Sequence, residues 1–292
     1  MRSPGLGLQV SVDEGREAWV EKTYVITGAT DGIGAAVARA LSSRGDHVVA
    51  IGTNAAKGEA LLREADNAPG SLEFVRADLS LVSANRSVVE RILDAHPVVD
   101  GLVLCARYFR SRRHETAEGF EDNFALFYLS RLLLGDGLRP ALERADRPVI
   151  VNVAGPGHDT PIPWDDLQST RRYDGVGAMF LTGRLVDLLG VAFADRHGDG
   201  PVRYVLFHPG TTSTGFVGQF DPATAAFIER QKAVAKPATA VVPPILRLLD
   251  DPPADPLTAF GVDTPISVRD GSFSSADAAR LAAVTDELLA GT

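Results

Sequence analysis

The chain has 292 residues, of which 45% are hydrophobic and 23% charged, and these proportions exclude a disordered chain. Its net charge of −9 gives no electrostatic support for nucleic-acid binding, and its one cysteine excludes a disulfide framework. No uninterrupted apolar run reaches the ~18 residues that span a bilayer, and residues 1–21 lack the apolar segment of a signal peptide. We therefore expect a soluble, cytoplasmic protein with no membrane or nucleic-acid partner.

Residues 1–21 are predicted to form an irregular lead-in, followed by a single domain over 22–292. In this domain short apolar, β-rich runs alternate with stretches of helical period. The predicted strands are 24–27, 48–51, 72–75, 101–104, 149–153 and 202–207. The helical stretches lie near 33–44, 55–65, 82–95, 118–142 and 178–197. This alternation is typical of an α/β fold with a Rossmann-type, doubly wound parallel sheet of about seven strands flanked by helices.

The alternation of strands and helices stops after the sixth predicted strand. Residues 211–257 are rich in Thr, Ala and Pro, with helical stretches near 222–234 and 238–250. An insertion at this point follows the carboxyl end of a strand, where open α/β sheets bind ligands. We therefore predict a small helical lid over about 211–257.

A glycine-rich turn, Thr-Gly-Ala-Thr-Asp-Gly-Ile-Gly over 27–34, connects the first predicted strand to the first predicted helix. Its glycines allow a tight turn and a close approach of the backbone to a pyrophosphate at the helix N-terminus. The place of this turn between a strand and a helix favours a dinucleotide site over a ligand-free turn.

With this turn the chain resembles the short-chain dehydrogenase/reductase family, in particular its retinol-dehydrogenase-like subgroup. The resemblance runs from about residue 22 to the C-terminus and includes Asp78-Leu79-Ser80, Glu118-Gly119-Phe120-Glu121, Asp166-Leu167-Gln168-Ser169 and His208-Pro209-Gly210. It implies that an NAD(P) dinucleotide would contact Gly28, Thr30, Asp31, Gly32, Ile33, Gly34, Thr53, Asp78, Leu79 and Cys105.

The catalytic set that the resemblance implies is an Asn, a Ser, a Tyr and a Lys, and none of them is found at its expected place. The four positions are aligned with Phe127, Gly155, Met179 and Gly183. None of these side chains ionises near neutral pH. The replacements predict loss of hydride transfer and a larger, more apolar cleft that binds substrate.

The register of the tyrosine–lysine motif depends on the residues around it. Tyr173 followed by Gly177 is an alternative reading, but it also lacks the lysine. Asp166-Leu167-Gln168-Ser169 precedes the catalytic motif of the subgroup by several residues, which favours Met179 as its first position. Phe216 in the predicted lid is a further candidate for substrate binding.

Three polar side chains are the remaining candidates for catalysis. His158 follows the fifth strand, and histidine is the side chain whose ordinary pKa lies near neutral pH. Arg107 follows the fourth strand and would anchor an anionic group, with a solvated basic loop as the alternative. Tyr173 would donate a proton, although packing is the commoner role of a tyrosine. His208 is interpreted as a structural turn residue, and no metal is expected.

We predict an enzyme that has lost redox chemistry and catalyses a non-redox cyclisation or isomerisation, pericyclic ring closure included, of a bulky apolar metabolite in specialised biosynthesis. One alternative is a non-catalytic dinucleotide- or ligand-binding protein. Another is an NAD(P)H-dependent reductase with rearranged catalytic residues and Tyr173 as proton donor. Thr53 is neither the basic residue that favours NADP nor the acid that favours NAD, so NAD(P) is weakly bound, structural or absent. The resemblance also implies a homodimer.

Overall fold

The computed structural model describes residues 21–213, 218–269 and 271–291. Almost all of the predicted lead-in, and the candidate substrate residue Phe216, lie outside these ranges. The rest of the predicted site lies within them.

An eight-stranded sheet forms the centre of the domain, with the order β8-β7-β6-β5-β4-β1-β2-β3. Its strands are β1 (Thr23–Thr27), β2 (His47–Gly52), β3 (Ser71–Arg76), β4 (Gly101–Leu104), β5 (Val149–Val153), β6 (Arg203–His208), β7 (Leu257–Gly261) and β8 (Thr264–Ile266). All neighbours are parallel except β7 and β8. The predicted Rossmann-type parallel sheet of about seven strands is therefore confirmed, with β8 added at one edge.

Helices cover both faces of the sheet. They are α1 (Gly32–Ser43), α2 (Ala55–Ala65), α3 (Val82–Ala95), α4 (Ser130–Leu142), α5 (Gly175–His197), α6 (Pro222–Val234), α7 (Val242–Asp250) and α8 (Ser275–Leu289). One apolar core joins the sheet to α3, α4, α5 and α8, and a second joins its other face to α1, α2 and α7. Because both faces are covered, strands such as β1 read as continuous apolar runs and not as alternating patterns.

The segment predicted as a lid divides into two parts. Two short strands, Thr212–Ser213 and Gly218–Gln219, pair with Lys236–Pro237 and Phe109–Arg110 respectively. They are followed by α6, whose Ile228 faces the carboxyl edge of the sheet. Helix α7 instead packs on α1 and buries Ile245 and Leu249 in the core. The part of the segment that borders the ligand edge is thus the part around α6.

Helix α5 is the longest helix and the centre of one face. By length and composition it could cross a membrane, with a mean hydropathy of 1.6 over its most apolar window, but 72% of that window is buried inside the domain. Arg184 and Asp187 interrupt its apolar sequence and are themselves buried. Such burial is what a core helix requires.

Asp187 is fully buried in α5, where its carboxylate accepts a hydrogen bond of 2.9 Å from the backbone N–H of Gly157. Burial raises the pKa of this carboxyl from 3.8 to about 6, against the opposing effects of that hydrogen bond and of Arg184. A carboxyl whose pKa is higher in the folded state favours folding while it is protonated. That contribution is complete below pH 3.8 and is lost as the pH rises through about 6.

Replacement of Asp187 by asparagine should therefore stabilise the protein at alkaline pH. Asp187→Asn keeps the shape and the acceptor but buries no charge, so we expect up to about 3 kcal/mol of added stability at pH 8. The difference from the wild type should shrink towards zero near pH 4, as measured by thermal unfolding followed by circular dichroism. A variant that is less stable than the wild type at pH 8 would contradict this account of the buried charge.

Candidate functional site

The carboxyl ends of the parallel strands open onto a cleft of about 1160 Å³. The turn after β1, the ends of β2 and β3, and the residues that follow β4 and β5 line one side. The first turns of α5 and one side of α6 line the other side. This is the edge at which open α/β sheets bind their ligands.

The glycine-rich turn lies directly against the chain after β4. Gly28 has a φ of +65°, and a Cβ at this position would lie 2.9 Å from the backbone of Ala106. A Cβ at Gly34 would lie 2.5 Å from the carbonyl oxygen of Gly28. The hydroxyl of Thr27 accepts hydrogen bonds from the backbone N–H groups of Cys105 (3.0 Å) and Ala106 (3.1 Å). Only glycine permits this packing, and it leaves the floor of the cleft as bare backbone.

The turn also forms the start of α1. Asp31 is the N-cap of that helix and accepts a hydrogen bond of 2.7 Å from Gly32 N–H, while Lys57 forms an ion pair with its carboxylate. The ten residues predicted to contact a dinucleotide all line the cleft: Gly28, Thr30, Asp31, Gly32, Ile33, Gly34, Thr53, Asp78, Leu79 and Cys105.

A basic side chain, Arg76, lies beside Thr53, the residue that follows β2. The Nε of Arg76, the last residue of β3, donates a hydrogen bond of 3.2 Å to the carbonyl oxygen of Thr53. Arg76 is exposed, so its guanidinium is accessible to a ligand that lies over Thr53.

The four residues aligned with the catalytic set line the other end of the cleft: Phe127, Gly155, Met179 and Gly183. Asp174 caps α5 by accepting hydrogen bonds from two backbone N–H groups of its first turn, and this places Met179 and Gly183 one turn apart on the side that faces the cleft. A Cβ at Gly183 would meet nothing within 4 Å, so the cleft is open at the position aligned with the lysine.

Two arginines lie beside the ring of Phe127, which belongs to a π-helical segment, Phe124–Leu129, before α4. The guanidinium of Arg131 is 3.9 Å from the ring centre and that of Arg107 is 5.5 Å from it. Arg131 is buried and donates to the side chain of Asn152 and, at 2.9 Å, to the carbonyl oxygen of Val153. Burial lowers its pKa to about 9. Within the described ranges, no carboxylate forms an ion pair with either arginine, so this end of the cleft has a positive potential.

Two imidazoles complete the same end of the cleft. His158 packs edge-on against Phe180, with 5.5 Å between the ring centres, and a Cβ at Gly155 would lie 3.6 Å from Cδ2 of His208. Nδ1 of His208 accepts a hydrogen bond of 3.2 Å from Gly210 N–H, so neutral His208 carries its proton on Nε2. Burial, followed by the charges of His158 and Arg107, lowers the pKa of His208. At neutral pH, His208 is therefore an uncharged hydrogen-bond donor.

His208 is the functional candidate that the sequence interpretation missed, because a His-Pro-Gly turn indicates only a turn. His158 and Arg107 line the cleft as predicted candidates. Tyr173 does not line it. Its hydroxyl lies 3.2 Å from both the carbonyl oxygen of Arg110 and a carboxylate oxygen of Glu121, and burial raises its pKa. Tyr173 therefore connects two neighbouring segments through its hydroxyl, outside the cleft where a proton donor was expected.

Comparison with known proteins gives matches along the same region of the chain. The model of the short chain dehydrogenase family matches residues 22–164. An oxidoreductase (calI) of Penicillium decumbens is 30% identical over 76% of this chain and 67% of its own length. Retinol dehydrogenase 12 of Homo sapiens is 31% identical over 67% of this chain and 63% of its own length. The chain thus spans about two thirds of the length of these relatives.

A solved structure shows the same fold. A short chain dehydrogenase from Burkholderia cenocepacia in complex with NADP has a TM-score of 0.63, with 18% identity over 83% of this chain and 96% of that chain.

The expectation of a non-redox cyclase or isomerase is wrong, because the relatives are named as an oxidoreductase and a dehydrogenase. That expectation equated the loss of the four aligned side chains with a loss of hydride transfer, while it kept His158, Arg107 and Tyr173 as catalytic candidates. In the structure His158, on the loop after β5, and His208, the last residue of β6, line the same end of the cleft as the four substituted positions.

Proposed function

Because the chain belongs to the short-chain dehydrogenase family, we propose that it is an NADP(H)-dependent oxidoreductase that interconverts a carbonyl group and an alcohol on a bulky, largely apolar molecule. The observation that supports this best is the continuity of the cleft. A glycine-lined floor at one end leads to two imidazoles at the other without a barrier between them.

The residues of the floor fit a dinucleotide. A Cβ at Gly28 or Gly34 would crowd the backbone, and Gly32 lines the cleft with a φ of +53°. The N-terminus of α1 at this turn favours a pyrophosphate. Asp78 and Thr53 would border the adenosine half, and Cys105 the nicotinamide half. When bound, the reduced nicotinamide supplies a hydride to the carbonyl carbon.

The imidazoles and arginines supply the remaining chemistry of the proposed reaction. Nε2–H of His208 would donate a hydrogen bond to the carbonyl oxygen, and the positive potential of Arg107 and Arg131 would stabilise the negative charge that develops there. His158, which is exposed, would pass a proton from solvent to that oxygen.

The lining of the cleft favours an apolar substrate. Phe127 and Met179 face the reacting end, and Phe109 stacks on Phe220 with 5.5 Å between the ring centres near α6. Ile228 of α6 adds a further apolar surface over the cleft. Aromatic and aliphatic walls with few polar groups bind bulky hydrophobic molecules and orient them through those few groups.

The proposal is tested by NADPH binding in calorimetry and by NADPH oxidation in the presence of bulky apolar aldehydes and ketones. We expect binding, turnover with at least one carbonyl compound, and a fall in kcat of about 10- to 100-fold in His208→Ala. His208→Gln keeps an N–H donor and should lose less activity. His197→Ala, at the far end of α5, is the matched control and should behave as the wild type.

Two outcomes would contradict the proposal in different ways. Tight NADPH binding with no oxidation of any carbonyl compound would favour a non-catalytic dinucleotide-binding protein. Absence of NADPH and NADH binding would contradict the assignment of the glycine-lined floor itself.

The adenosine end predicts a preference for NADPH over NADH. Arg76, held against the carbonyl oxygen of Thr53, is placed to contact a phosphate on the adenosine ribose, and no acid stands at position 53 to repel it. Arg76→Ala should weaken NADPH binding about tenfold and leave NADH binding nearly unchanged, since an exposed charge-assisted contact contributes on the order of 1 kcal/mol. Equal losses for both cofactors in calorimetry would contradict this role.

The aligned positions on α5 predict a gain of activity. Met179→Tyr combined with Gly183→Lys introduces an acid–base pair one turn apart, in a part of the cleft where the lysine meets no atom at its Cβ. We expect the rate of NADPH oxidation to rise tenfold or more. Met179→Phe combined with Gly183→Met is the control of similar bulk and should show no gain. No gain in the Tyr–Lys variant would show that these positions do not face the reacting atoms.

A further inference from the structure

Three side chains that commonly bind metals meet at the amino end of the sheet, opposite the cleft. His47 begins β2, Glu73 lies within β3 and His96 is the C-cap of α3. One potential ligand atom from each lies within 4.8 Å of the others. In the described part of the chain, this is the one group of three or more His, Cys, Asp or Glu residues with such spacing.

The hydrogen bonds of His47 leave one ring nitrogen available for a metal. Its Nδ1 lies 2.6 Å from the hydroxyl of Ser71, and that hydroxyl donates its hydrogen to Glu21 at 3.2 Å. Ser71 therefore accepts from Nδ1–H, which leaves a lone pair on Nε2. Nε2 is buried and has no hydrogen-bond partner among the described residues. A histidine whose other nitrogen donates to a polar neighbour is the usual arrangement around a metal.

The unpartnered Nε2 of His47 also favours a bound cation. An unpartnered buried nitrogen costs free energy in the folded protein, and a cation would satisfy it.

Glu73 and His96 complete the cluster beside His47. Nε2 of His96 is 2.9 Å from one carboxylate oxygen of Glu73, and the centres of the His47 and His96 rings are 4.8 Å apart. A tetrahedral zinc ion with bonds of about 2.0–2.1 Å holds its ligand atoms roughly 3.3 Å apart. The three ligand atoms are separated by at most 4.8 Å, so rotations of these half-buried side chains that shorten the longest separation by up to about 1.5 Å would bring them to that spacing.

Arg91 is the group that competes with a cation. Its guanidinium lies 3.7 Å from the second carboxylate oxygen of Glu73, and its side chain is 57% exposed. An exposed arginine at this distance contributes little and can turn towards solvent.

We propose that His47, Glu73 and His96 form a binding site for a divalent transition-metal ion, with Zn²⁺ as the preferred ion and water as the fourth ligand. Two imidazoles and a carboxylate are a ligand set that zinc accepts. The ion would connect β3, at the edge of the sheet, to β2 and to the end of α3. Its position at the end of the sheet opposite the cleft makes this a structural site that does not depend on the proposed oxidoreductase activity.

The test uses the full chain without an affinity tag, treated with EDTA, dialysed and then titrated with ZnCl₂ in a calorimeter. We expect one equivalent of zinc to bind at micromolar concentration and to raise the Tm by several degrees. His96→Ala and Glu73→Gln should each bind this equivalent at least tenfold more weakly and lose the Tm shift. Retention of the tight equivalent in both variants, or no zinc binding by the wild type, would overturn the proposal.

Two control variants separate this site from other histidines. His197→Ala tests a histidine remote from the cluster, and His208→Ala removes an imidazole of the cleft. Both should retain the tight equivalent, whereas its loss in His208→Ala would assign zinc to the cleft and overturn the proposal. Circular dichroism without metal checks that each variant is folded, and Glu73→Gln, which keeps the shape of the side chain, serves if His96→Ala does not fold.

Discussion

The close approach of the turn after β1 to the backbone after β4 is the constraint on which the cleft depends. Thr27 holds two backbone N–H groups of the neighbouring loop, and Gly28 permits a contact that any side chain would block. This contact aligns the ends of two adjacent strands, and with them the floor of the cleft. The groups that line the cleft farther along β5 and β6 take their positions from the same sheet.

The buried guanidinium of Arg131 dominates the electrostatics at the reacting end of the cleft. The guanidinium of Arg131, which has no ion-pair partner among the described residues, stacks on Phe127. Phe127 is the residue aligned with the asparagine of the family's catalytic set. Desolvation makes this charge costly, and its hydrogen bonds to Asn152 and Val153 offset part of the cost. Desolvation, followed by the charges of His158 and Arg107, lowers the pKa of His208 and keeps it neutral at pH 7. The two imidazoles proposed for acid–base chemistry thus lie at the end of β6 and on the loop after β5, while α5 contributes apolar surface.

The two proposed sites lie at opposite ends of the sheet. The carboxyl ends of the strands carry the cleft and its imidazoles, as the crossover connections of a parallel sheet require. The amino ends carry the His47, Glu73 and His96 cluster, in which parallel pairing of β2 and β3 sets Ser71 beside His47. A ligand at one end can therefore stabilise the fold without touching the chemistry at the other.

Local sequence patterns were enough to predict the sheet, the helices and the glycine-lined floor. The apolar runs of buried strands, the helical period and the glycine spacing are each visible within a few consecutive residues. The sequence therefore predicts the ten candidate cofactor positions and the four positions of the catalytic set, and all fourteen line the cleft. Tertiary structure alone decided where the side chains of Tyr173, His208 and His47 lie and what they contact. Tyr173 is turned away by Glu121 and Asn123, His208 reaches the space beside Gly155, and His47 meets His96 across two strands and a helix. Each of these positions depends on contacts between segments that are distant in the chain. Local sequence patterns do not predict which of those side chains will face one another.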